Sequence, residues 1–87
     1  MDRDTVISKL EYICQYDYNN IASLFDVYID IIQYQDYIKE NISSDLYDSL
    51  HTELMCVYTE SRLGDGEYGE MVYNNCIDVV KQVIKVL

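Results

Sequence analysis

The chain has 87 residues, sixteen Asp and Glu against six Lys and Arg, a net charge of −10, no proline and three glycines. That length allows one small domain, residues 1–87, with a modest core, and an apolar content of 49% excludes disorder. The scarcity of turn residues excludes a Greek-key or barrel architecture. The charge disfavours direct contact with nucleic acid or anionic membranes and favours a basic protein partner.

Four helical segments are expected in chain order. The first runs from about Asp4, as cap, to Tyr16, with Val6, Ile7, Leu10, Ile13 and Cys14 at helical spacing. "YDYNN" breaks it, because Asp17, Asn19 and Asn20 favour turns. The second segment spans about Ile21 to Glu40, with Ile21, Leu24, Phe25, Tyr28, Ile31, Ile32 and Ile38 as its apolar stripe. After "NISSD", with Ser43 or Ser44 as N-cap, the third segment runs to Leu63 and points Leu46, Leu50, Leu54 and Val57 inward. Gly64 then stands where a C-cap glycine belongs. The last segment starts near Glu67 or Glu70. Its Tyr73, Cys76, Ile77, Val80, Val83, Ile84 and Leu87 follow a helical period, which outranks the strand propensity of its valines. The expected fold is all-α, a compact antiparallel bundle of about four helices.

"GDGEYG", Gly64 to Gly69, matches the G-x-G-x-x-G of dinucleotide-binding enzymes. That fingerprint must follow a strand and open a helix, whereas a helix precedes Gly64. Asp65, Glu67 and Glu70 would also repel a pyrophosphate, and no lysine is present to hold one. The stretch reads as a helix–turn–helix joint in which "DG" turns the chain. The three acids do not match the calcium loop of an EF-hand.

Cys14, Cys56 and Cys76 are odd in number and contain no C-x-x-C pair, which fits buried free thiols in a reducing compartment. The lone His51 lacks zinc-ligand company and sits at the edge of an apolar stripe. No grouping for nucleophilic catalysis can be placed, so no enzyme activity, cofactor or metal is expected. "MDRDTVISKL" has no signal-peptide pattern, and no run approaches the roughly 18 apolar residues of a membrane span. A cytoplasmic location follows as an expectation.

Asp2, Asp4, Asp45, Asp48, Glu67 and Glu70 lie near expected helix starts, and Lys39, Arg62, Lys81 and Lys85 near expected ends, where the helix dipole favours them. Asp26 and Asp30 differ. They lie inside the second segment, four apart, with no Lys or Arg three or four residues away. Such a pair costs roughly 0.2–0.5 kcal/mol. At about 100° per residue, Asp26, Asp30, Gln33 and Tyr37 fall within roughly 60° of one another, nearly opposite the apolar stripe. These four are the expected partner-binding row, and Asp65, Glu67 and Glu70 are secondary candidates. Ten tyrosines against one Phe and no Trp favour contact surfaces with polar tips.

A strongly acidic helical domain of under a hundred residues with an Asp/Tyr face resembles the immunity proteins of bacteriocins and contact-dependent toxins. The resemblance covers size, charge and helical pattern over the whole chain. The "YYP" signature of the colicin DNase immunity proteins is absent, so no residue role is carried over. The resemblance implies a monomer or weak dimer that binds the basic nuclease domain of a cognate toxin and blocks its substrate path. Two other readings share the charge pattern: a phage-encoded antagonist of the anti-CRISPR kind that mimics nucleic acid, and a structural subunit that self-associates through apolar residues such as Met55.

If the glycine stretch binds no nucleotide, NAD, ATP and calcium leave the melting temperature unchanged. A ligand at 100 times its dissociation constant would add about 2.7 kcal/mol, so thermal unfolding with each ligand decides the point.

Overall fold

A computed structural model of the chain describes residues 2–87. Among them are five α-helices and no strand: α1 (Arg3–Cys14), α2 (Leu24–Ile32), α3 (Gln35–Asn41), α4 (Ser44–Leu63) and α5 (Gly69–Val86). A one-turn 3-10 helix, Tyr18–Asn20, precedes α2. The Cα radius of gyration is 12.2 Å, matching the roughly 12 Å of a compact chain of this length.

Side-chain caps set most of the helix starts. Asp2, not Asp4, caps α1 by accepting from the Thr5 N–H at 2.7 Å, and that amide holds the Asp2 carboxyl below its usual pKa. Ser23 caps α2 by accepting from the Asp26 N–H at 3.1 Å, and Ser43 caps α4 by accepting from the Leu46 N–H at 3.2 Å. An unpaired first-turn amide gains a partner in each case.

The expected second segment, Ile21 to Glu40, is divided. It begins at Leu24 and breaks between Ile32 and Gln35. At the break the Tyr34 N–H bonds to the Ile31 carbonyl at 3.0 Å, an i→i−3 bond that tightens the turn. Tyr34 and Ile38 are both buried as a result. Ile31, Ile32 and Tyr34 at the break are of middling helix propensity, so the local preference that Gln33 and Gln35 add is too small to resist this tertiary demand. The apolar stripe is rotated as well. Val27, Ile31, Tyr34 and Ile38 form the buried line, while Ile21, Leu24, Phe25, Tyr28 and Ile32 are half-buried. On a helical wheel the buried face turns by roughly 80° toward Asp30.

The core joins Val6, Leu10 and Ile13 of α1, Val27 and Ile31 of α2, Leu50, Leu54 and Val57 of α4, and one long face of α5 from Val72 to Val83. No polar or charged side chain is buried among the described residues. Contacts run in a ring: α5 packs on α4 and α1, α4 packs on α2, and α1 meets α2 more sparingly. The α1–α2 seam therefore lies across the ring from the α4–α5 seam. Helix α3 packs on α4.

Tyr73 ties the ring together at one end. Its ring is 1% exposed, and its hydroxyl donates to the Tyr16 carbonyl at 2.9 Å. Burial pushes its phenol pKa up. The Tyr18 ring packs 6.0 Å from it. Removing only the hydroxyl, Tyr73→Phe, is expected to cost about 1 kcal/mol through the unpaired Tyr16 carbonyl, and Tyr73→Ala about 3–5 kcal/mol by analogy with other large aromatic truncations. Urea unfolding of both variants checks the order and the gap.

Candidate functional site

The expected row of Asp26, Asp30, Gln33 and Tyr37 is only partly together. Its first three members are exposed along α2 and its C-cap. Tyr37 lies beyond the break, is half-buried, and packs against the core. Tyr37 leaves the row because the row required one unbroken helix. Asp26 is not in mid-helix either: it occupies the first turn of α2, where the helix dipole stabilises it. Asp30 keeps the unfavourable position, close to the carbonyl end.

The rotation of α2 places these residues on one wall of the α1–α2 seam rather than on a face pointing straight away from the core. Two adjoining cavities run along this seam. One, of 280 Å³, is lined by Lys9, Tyr12, Ile13, Asp30, Gln33 and Tyr34. The next, of 100 Å³, includes Tyr12, Tyr16, Asp26 and Asp30. Tyr12 projects from the last turn of α1 and Tyr16, four residues on, from just past its C-cap; they are 59% and 37% exposed. Their rings meet edge to face at 5.3 Å, and the Tyr16 hydroxyl donates to the Tyr12 hydroxyl at 2.9 Å. That bond raises the Tyr16 pKa. Asp30 also shares its cavity with Lys9, a cation that sequence spacing places twenty-one residues away. Among the described residues the ion pair within 4.0 Å is Arg3–Asp4, so neither Asp26 nor Asp30 is paired in this way.

Lys9, Tyr12 and Tyr16 were absent from the expected site. The signal for the tyrosines was their i, i+4 spacing beside the Val6–Leu10–Ile13 stripe. Nothing local points from Lys9 to Asp30.

The "GDGEYG" stretch links α4 to α5, and it does hold an anion with its backbone. The anion is the protein's own Glu60 carboxylate. Glu60 Oε1 accepts from the Gly66 N–H at 3.1 Å and the Tyr68 N–H at 3.2 Å. Gly66 adopts φ +92°, a left-handed conformation open to glycine at little cost. Gly64 is the C-cap of α4, but it is extended, with φ −81° and ψ 167°, not left-handed. Its lack of a side chain serves another purpose: a Cβ there would collide with the Glu60 carboxylate. Asp65 makes a local turn contact, accepting from the Glu67 N–H at 3.0 Å. Glu70 lies in the first turn of α5. Asp65, Glu67 and Glu70 are exposed and line neither seam cavity of α1–α2.

Of the three free thiols, Cys76 alone is fully buried, and burial pushes it up to about 12. Cys14 is half-buried, whereas Cys56 is exposed on α4. The expectation of three buried thiols thus fails for Cys56, because Leu50, Leu54 and Val57 define the inward face of α4 and Cys56 falls outside it. Among the described residues no three His, Cys, Asp or Glu side chains gather as a metal site. No helix there is long and apolar enough to cross a membrane.

Comparison with protein-family models, curated proteins and solved structures finds no match to this chain.

The Glu60 contact is directly testable. Glu60→Ala removes the acceptor of two loop amides and is expected to cost about 1–2 kcal/mol. Glu60→Gln keeps a carbonyl acceptor and should lose less. Gly66→Ala should cost about 1 kcal/mol through its left-handed backbone. An unchanged denaturation midpoint in Glu60→Ala would remove the carboxylate from this role.

Proposed function

We propose that the protein is a non-enzymatic inhibitor that binds a basic partner protein through the α1–α2 seam and blocks that partner's phosphate-binding surface. The observation that carries this reading is the hydrogen-bonded Tyr12–Tyr16 pair standing exposed beside Asp26 and Asp30, two carboxylates without an ion-pair partner. Exposed tyrosines fixed against each other lose little side-chain freedom on binding, and tyrosine is enriched among residues that dominate binding energy. Carboxylates beside them accept from Arg or Lys, while the rings cover the apolar stems of those side chains.

The resemblance in size, charge and helical pattern to toxin immunity proteins gives the partner its class: the nuclease domain of a cognate bacterial toxin, met in the cytoplasm. Such a domain must present cationic groups to nucleic acid. Occupying them with Asp26 and Asp30, with Gln33 at the edge of the contact, denies the substrate both charge and space. The net charge of −10 adds long-range attraction, to which Asp65, Glu67 and Glu70 contribute from the α4–α5 loop.

The double charge reversal Asp26→Lys with Asp30→Lys tests this seam. Folding should change little, because Asp26→Lys loses roughly 0.3–1 kcal/mol of dipole stabilisation at a helix start while Asp30→Lys gains a similar amount near its end. Once a basic nuclease domain is recovered by co-purification with the wild type, its affinity for the double variant should be lower by about 2–5 kcal/mol, and association of the wild type should slow as salt rises. Calorimetric titration at two salt concentrations measures both; undiminished affinity in the folded double variant excludes the α1–α2 seam as the contact.

A further inference from the structure

The α4–α5 seam carries a second surface, across the ring of helices from Tyr12, Tyr16 and Asp30. It is a shallow groove of 640 Å³, open to solvent, with Met55 and Cys56 on the α4 side and Tyr68, Met71 and Val72 on the α5 side. Met71 is 54% and Tyr68 53% exposed, large apolar side chains left uncovered on a strongly acidic protein. Methionine is flexible and polarizable, and methionine-lined surfaces adapt to apolar faces of varied shape.

We propose that this groove docks a basic amphipathic helix of a partner protein. Three features of the site select that occupant. The first is charge. No Lys or Arg lines the groove, and Arg62 of α4 is drawn aside onto the Phe25 ring, 5.0 Å from its centroid. His51, Thr52, Thr59 and Glu60 complete the lining, and the charged residues that flank it are acids. Asp48 stands one turn before Thr52 on the same stripe of α4, Asp78 falls two turns after Met71 on the same stripe of α5, and Glu67 and Glu70 flank Tyr68 and Met71 in sequence. An apolar trough between carboxylates matches a helix with an apolar stripe flanked by Lys and Arg. A second copy of this chain would bring the same acids face to face.

The second feature is backbone. Strand addition needs an unpaired sheet edge, and the described residues contain no strand. Both walls are helices, so side chains alone can make the contact, and a helix seated between two helices is the mode that uses them. The third is shape. An open trough does not enclose a small ligand, whose sites bury most of its surface, but it accepts a helix lying along it.

This inference shares with the α1–α2 reading only the sign of the partner's charge; the groove stands or fails separately. The test uses the full chain with methionine methyl groups labelled for NMR. It is titrated with a model peptide of about 18 residues, five helical turns, with leucines on one face and lysines on the other. Three control peptides accompany it: one of the same composition with the helical period scrambled, one with Glu in place of Lys, and one with Ser. Saturable shifts of the Met55 and Met71 methyls are expected with the Leu/Lys helix, and binding about tenfold or more weaker with each control. Met71→Lys, alone and with Met55→Lys, should weaken the Leu/Lys peptide about tenfold or more, with circular dichroism confirming the helical fold of each variant. Asp26→Lys with Asp30→Lys should leave the Met55 and Met71 response in place. Equal binding of the scrambled, Glu or Ser peptide overturns the proposal, as does a response absent from Met55 and Met71. A methyl shift that grows with protein concentration alone would assign the groove to self-association instead.

Discussion

Burial of one face of α5 is the interaction on which the remaining helices depend. Val72, Tyr73, Cys76, Ile77, Val80 and Val83 present a continuous apolar surface, and both α1 and α4 pack against it. Helix α2 reaches the core chiefly through α4. Tyr73 adds the polar tie to the Tyr16 carbonyl that fixes the end of α1. This face must also offset the mutual repulsion of a chain with net charge −10, since like charges disfavour the compact state. The core accordingly admits no charged side chain, and the acids are spread over the surface.

Much of the acidity has a local cause. Asp2 caps α1, and Asp4, Asp26, Asp36, Asp45 and Glu70 occupy first turns, where the helix dipole favours a negative charge. Glu60 is used differently, as the internal anion of the α4–α5 loop. The glycine-rich loop thus performs the physical task its pattern advertises, gathering backbone N–H groups around an anion, but the protein supplies the anion itself. A tethered carboxylate has a much higher effective concentration there than a free phosphate, and it repels a second negative charge. The resemblance to a dinucleotide fingerprint ends at that occupancy.

The ring of helices leaves two seams of contrasting character. The α1–α2 seam is polar and aromatic, with carboxylates, a lysine and a hydrogen-bonded tyrosine pair. The α4–α5 groove is apolar, with methionines inside and acids around it. One suits Arg and Lys side chains presented by a folded surface, and the other suits an apolar stripe bordered by cations. Both uses follow from one charge pattern acting on different local chemistry.

The sequence by itself determined the helical class, the charge, the Ser43 cap that starts α4 and the approximate start of α5. Those properties depend on residues close in the chain: the 3.6-residue period, a Ser or Asp before an apolar run, and the absence of proline. The α4 stripe of Leu50, Leu54 and Val57 and the α5 stripe from Tyr73 to Val83 were legible for that reason. Tertiary structure alone decided the rotation of α2, the break that buries Tyr34 and removes Tyr37 from the surface row, the meeting of Lys9 with Asp30, and the pairing of Met55 with Met71 across a groove. Each joins residues on different helices or turns a helix about its own axis. Periodicity shows that a helix has an apolar side, but several neighbouring orientations bury similar apolar area. The surfaces of the other helices choose among them, and with that choice they decide which polar residues face one another.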